Sequence, residues 1–165
     1  MNEKVKLESI SEDDLVSELW ARDVRFILGS TPNHPPKLLP SELIIALAKS
    51  NEARLQLSLI PLFLRHPEFD KYVNEIIDKL NSSQQLILQC FYSAAVWLEQ
   101  KHFSTAKLED LFSKKLEITL SKNPEENLQS LAIRQQELSG EKINWLGTYE
   151  HAANIWLKEI ELQQN

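Results

Sequence analysis

Glycine is scarce in this chain: Gly29, Gly140 and Gly147 are the only three in 165 residues. A loop that cradles phosphate needs glycine where the backbone meets the ligand, so neither a dinucleotide fingerprint nor a P-loop is present. Tight β-hairpin turns also draw on glycine, and its scarcity argues against an all-β fold. Cysteine is nearly absent. Cys90 stands alone among Leu88, Phe91 and Ala94, so it has no internal disulfide partner and reads as a small buried hydrophobe in a reducing compartment. No run of about 18 uninterrupted apolar residues exists, and no membrane span is expected. The opening "MNEKVKLESI" lacks the apolar core of a secretory signal. A cytoplasmic protein with no membrane contact is the expectation.

Positive charge is also in short supply. The formal net charge is −6, and the single basic segment, 101–122, mixes Lys107, Lys114, Lys115 and Lys122 with Glu109, Asp110 and Glu117. A duplex nucleic acid calls for a stronger, continuous basic footprint. The four histidines, His34, His66, His102 and His151, lie apart in sequence, and none has the spacing that puts two imidazoles on one helix face. No metal and no cofactor are expected. Glu99-x-x-His102 is the one match to the di-metal bundle pattern, and it falls at a helix end.

What is present is helix punctuation. A length of 165 residues suits one domain, and such a chain buries roughly 70% of its unfolded surface without staples. Ser11 followed by Glu12, Asp13 and Asp14 reads as an N-cap with acids at the positive helix end. Leu15, Leu19, Trp20, Val24 and Ile27 then recur at helical spacing up to Gly29, which can close the helix in a left-handed conformation. The stretch "GSTPNHPPKLLP", 29–40, is a proline-rich linker. It would let an N-terminal helix, 1–28, dock apart from a core at 41–165 or swap onto another copy.

Ser41 opens a second helix and Asn51 a third. The third contains "LSLIPLFLRHPEF", 57–69, which is apolar nearly all round and belongs at the centre of a bundle. Pro61 within it demands a bend near Ser58–Pro61. His66-Pro67 restarts a helix that carries Phe69, Tyr72, Val73, Ile76, Ile77 and Leu80. Ser82 with Gln85 reads as a capping box for a second central helix through 83–101. Ser104 begins a helix with Leu108, Leu111, Phe112 and Leu116 inward. "EITL" alternates and is compatible with a short strand. Asn123-Pro124-Glu125-Glu126 starts a helix that ends at Gly140, with Leu128, Leu131, Ala132, Gln135 and Leu138 along one stripe. Asn144 caps the last, whose stripe is Trp145, Tyr149, Ala152, Ala153, Trp156 and Ile160. The fold class is all-α: a compact bundle of seven or eight helices with central helices around 52–65 and 83–101.

Two groups of side chains are candidates for function. Arg65, His66 and Glu68 are neighbours that can hold an anion or move a proton. Helix-end electrostatics explain the same three residues, because a cation suits a helix C-terminus. Trp20, Trp145, Tyr149 and Trp156 are core anchors if buried and interface residues if exposed.

The segments "ARLQLSLIPLFLRHPEF", "LQCFYSAAVWLEQ" and "INWLGTYEHAANIWL" resemble parts of small all-helical bacterial proteins that accompany stand-alone nucleotidyltransferase-like proteins. The resemblance covers about residues 38–160. It implies a non-catalytic partner, the regulatory half of an antitoxin-like module. The nucleotidyltransferase signature is absent, since Gly29-Ser30 is followed by Thr31-Pro32 rather than by paired aspartates. The R-x4–6-H motif of the helical ribonucleases paired with such enzymes is absent too, so no catalytic residue is carried over. The leading expectation is a protein, not an enzyme, that binds another protein or itself as a homodimer. The alternative is a helix-turn-helix-type nucleic-acid-binding regulator using the 104–122 lysines.

Overall fold

In the computed structural model, which describes residues 10–164, the apolar stretch 57–69 lies in the middle of the molecule. Its helix breaks as Pro61 requires, but earlier than the ring itself. Helix α3 runs Ala53–Leu57 and α4 runs Leu59–Arg65. Ser58 joins them, with φ −63° and ψ −11°, and its hydroxyl donates to the Leu55 carbonyl at 2.5 Å. Pro61 therefore sits in the first turn of α4, where backbone N–H groups have no intrahelical partner. The ring removes a donor that would have gone unused. Leu59, Ile60, Pro61, Leu62 and Phe63 are all buried.

The other elements are α1 (Glu12–Ala21), α2 (Pro40–Lys49), α5 (Val73–Ile76), α6 (Ser82–Phe103), α7 (Pro124–Ser139) and α8 (Trp145–Gln164). Turns of 3₁₀ helix at Pro67–Tyr72 and Ile77–Lys79 flank α5. The described residues thus form eight α-helices, or seven rods if the broken pair α3–α4 is taken as one, and they contain no strand. The all-α expectation holds, and "EITL" is not a strand.

Helix α6 is the hub. It packs against α2, α4, α7 and α8, and Leu88 through Glu99 are buried without a break. A helix surrounded on every side must be apolar or small on every side, and Ser93, Ala94 and Ala95 let its neighbours approach. Phe63 meets Tyr92 edge-on at 4.9 Å, and Tyr92 meets Phe112 at 5.8 Å. Both central helices lie where the sequence put them. The α6 cap is one residue earlier than read: Asn81 accepts from the Gln84 amide at 2.9 Å, and Gln84 returns the bond at 3.0 Å.

Three further expectations differ: the end of α1, the role of Gly29 and the segment 104–116. Helix α1 stops at Ala21, not at Gly29, because Asp23 takes the left-handed conformation at φ 66°. Gly29 is not left-handed. It stands where a Cβ would meet the Trp20 indole at 2.7 Å and Val16 at 2.8 Å; close approach, not φ, calls for glycine there. Gly140 does close α7 at φ 73° as read.

The third difference is larger. No helix forms over 104–116. Leu108, Phe112 and Leu116 are buried as their spacing predicted, but tertiary partners take the backbone groups that a helix would pair within itself. The Glu99 carboxylate accepts from the Leu108 amide at 2.9 Å, and the Tyr92 hydroxyl donates to the Glu109 carbonyl at 2.5 Å. Asp110 accepts from the Ser113 amide at 3.1 Å, a local competitor to helix bonding. Ser104 and Glu117 bound the segment in left-handed conformations at φ 55° and 59°.

Candidate functional site

Arg65, His66 and Glu68 lie where α4 ends and the Pro67–Tyr72 turn begins, and the fold brings the residues just after α1 against them. The Arg65 guanidinium donates to Asp23 at 2.6 Å. The His66 ring places Nε2 2.8 Å from the Arg22 carbonyl and Nδ1 3.2 Å from Glu68, and stacks on Phe69 at 4.8 Å. Asp23 also pairs with Arg25 at 3.2 Å, and Arg25 reaches Glu159 of α8 at 3.6 Å while its guanidinium lies over the Trp20 ring. The three predicted residues are therefore neighbours at one junction, with partners Arg22 and Asp23 just after α1 that sequence spacing did not show. The assembly is a set of ties between elements. Four clefts of the described surface lie elsewhere and are not lined by Arg65, His66 or Glu68.

Beside it is a group the sequence did not single out. Glu18 is 4% exposed. Its carboxylate accepts from the Lys37 amide at 2.9 Å, from the Leu38 amide at 2.9 Å and from the Arg22 guanidinium at 2.9 Å. Arg22, also buried, donates on to the Leu38 carbonyl. Burial alone would raise the Glu18 pKa, but bonds from the Leu38 and Lys37 amides and from Arg22 outweigh it and hold the carboxyl below its ordinary value. The linker is thereby fastened to α1 of the same chain, and Leu15, Leu19 and Val24 join the common core. Of residues 1–28, the first nine fall outside the described part; from Ile10 onward the segment packs in cis. The available signal was modest: Glu18 and Arg22 are four apart and share the face of Leu15 and Leu19.

The aromatic candidates divide. Trp145, Tyr149 and Trp156 are buried, and Trp20 is half-buried with its indole N–H donating to the Ile27 carbonyl at 2.8 Å. Trp145 and Tyr149 pack edge-on against Phe91 of α6 at 6.1 and 6.4 Å. These side chains anchor α1 and α8 to the bundle. The chain's exposed large apolar residues include Leu120, Ile133, Leu138 and Ile143, on α7 and its flanks.

Other candidates take structural positions. Glu99 and His102 diverge: Glu99 holds Leu108, while His102 lies 3.3 Å from Glu150 of α8. Lys101 bridges Glu125 of α7 and Glu150. Among the described residues no group of three His, Cys, Asp or Glu side chains is arranged to hold a metal ion. Cys90 is buried, and desolvation raises its thiol to about 12, so it carries no thiolate at neutral pH. Lys107, Lys114, Lys115 and Lys122 are exposed on the non-helical segment, which leaves the helix-turn-helix reading without its second helix. No helix among the described residues is long and apolar enough to cross a membrane.

Comparison with protein-family models, with curated proteins and with solved structures gives no match to this chain.

Proposed function

We propose that this chain works by binding another protein, as a non-catalytic, regulatory component. The observation that carries the reading is how the side chains are divided between inside and outside. The reactive candidates have partners inside the chain: Arg65 with Asp23, His66 with Arg22, Lys101 with Glu125 and Glu150. Large apolar side chains remain outside: Leu28 is 93% exposed, Leu162 72%, and Leu39 and Ile133 63% each, with Leu120, Leu138 and Ile143 also exposed on the flanks and end of α7. Exposed large apolar side chains are the surface that contact with a partner would cover, and α7 with its flanks carries four of them.

The contact surface to test first is α7 and its flanks, since Trp145 and Trp156 are buried and Trp20 is half-buried. The resemblance in the sequence suggests the partner class to test first, a nucleotidyltransferase-like protein. A photo-crosslinking residue placed at Ile133 should capture that partner on co-expression, and the same residue at Asp13, on α1, should not. Sedimentation of the purified chain tests self-association. A monomer that gives no adduct at position 133 refutes the reading. Salt-sensitive retention on DNA would favour the lysines of 107–122 instead.

A further inference from the structure

A cleft of about 480 Å³ opens where the first turn of α6 meets the end of α7 and the start of α8. That volume is within the range of small-molecule sites. Its walls are mixed: Leu86, Ile87 and Leu138 supply apolar surface, and Ser82 and Ser83 supply neutral polar groups. Two further residues line it. Gln135 is 0% exposed and Trp145 is 7% exposed. Tyr149 donates its hydroxyl to Gln135 Oε1, but Gln135 Nε2 and Trp145 Nε1 have no acceptor among the described residues.

Both of these unmet groups are N–H donors. A buried donor without an acceptor is costly; Trp97 and Trp156 carry such indole N–H groups too, but Gln135 and Trp145 are the two that line this cleft. An incoming oxygen acceptor would recover that cost. The ligand must therefore bring acceptors rather than donors. Its charge is constrained as well. Glu141 is the one ionisable side chain lining the cleft, and it disfavours an anion. The reciprocal bonds of Asn81 and Gln84 take up two of the amides at the start of α6, and what remains of that end favours an oxygen acceptor. We propose that this cleft binds a small neutral carbonyl compound, an ester, lactone or amide with a short apolar body, whose oxygen accepts from Gln135 and Trp145. The nitrogens lie beneath the surface, so binding displaces the half-exposed rim at Leu138 to reach them.

The test is a titration of the full chain followed through its side-chain N–H resonances, with methyl hexanoate as the probe. The expected result is a saturable shift of the Trp145 indole and the Gln135 side-chain amide. Hexylammonium, with the same apolar length and no acceptor, should leave both in place. Leu138→Trp, at an exposed position, should fill the cleft and abolish the ester shift while the melting curve stays that of the parent. Hexanoate should bind more weakly than the ester, and Glu141→Lys should reverse that order. The proposal is overturned if methyl hexanoate gives no saturable shift, if hexylammonium acts equally, or if hexanoate outbinds the ester in the parent. It is overturned too if a long-lived water is found in contact with both N–H groups.

Discussion

Replacing Glu18 should free the proline-rich linker. In Glu18→Ala the Lys37 and Leu38 amides lose their acceptor, and Arg22 keeps its charge in a buried site with only carbonyl partners. Breaking one side of a buried pair costs about 3–5 kcal/mol, because the remaining charge is left uncompensated. For a chain of this length that corresponds to a fall in Tm of about 10 °C. Glu18→Gln keeps the shape and one acceptor oxygen, and should cost about 1–3 kcal/mol. The double variant Glu18→Leu/Arg22→Met removes both charges and should recover much of the loss, since well-packed apolar replacements of buried pairs are often tolerated.

The linkage to pH has a definite sign. Glu18 is held below its ordinary value of 4.5 in the folded chain. Its contribution is complete above that value and is lost as pH falls through the folded pKa. Parent stability should therefore drop on acidification below about pH 4.5, and Glu18→Gln should lack that part of the drop. Two assays read the effect. Chemical denaturation gives the free energies, and trypsin reports the linker, because loss of the bonds from the Lys37 and Leu38 amides to Glu18 should speed cleavage after Lys37. If Glu18→Ala melts within about 1 kcal/mol of the parent and Lys37 stays uncut, the carboxylate does not fasten the linker.

Other outcomes are equally open to measurement. Lys101→Met should destabilise by about 1 kcal/mol, since Glu125 and Glu150 then face each other without their shared cation. Desolvation would lower the Lys101 pKa, but the two carboxylates outweigh it and raise it above 10.5. Its contribution is thus complete below 10.5 and is lost as pH rises through the folded pKa, a loss that Lys101→Met should not show in alkaline denaturation. Cys90, raised to about 12 by burial, should resist a thiol reagent in the native chain at neutral pH and react on denaturation; fast native labelling would contradict the packing of α6. Gly29→Ala should displace the Trp20 indole from the Ile27 carbonyl, read as a shifted indole resonance and a loss of about 1–2 kcal/mol; an unmoved resonance would show that the loop yields instead.

Local rules in the sequence were enough for the fold class, the two central helices and the caps at Ser11, Asn123 and Asn144, while the caps read at Ser41, Asn51 and Ser82 lie one or two residues from the observed Leu39, Glu52 and Asn81. Those rules are apolar spacing at Leu15 and Leu19 or Tyr149 and Ala153, a side-chain cap at Ser11, Asn123 or Asn144, and a proline that forces α3 and α4 apart. The sequence also selected the inward residues of 104–116 correctly, because Leu108, Phe112 and Leu116 are apolar whatever the backbone does. Tertiary structure alone decided that this segment is not a helix, since Glu99 and Tyr92 claim its backbone from another element. It alone joined Arg65 and His66 to Asp23 and Arg22, more than forty positions away in sequence, and buried Trp145 and Trp156 rather than presenting them. The physical reason is the same in each case. Helix spacing and caps act within a few residues, whereas a carboxylate's partners and a ring's exposure depend on which elements the bundle brings beside it.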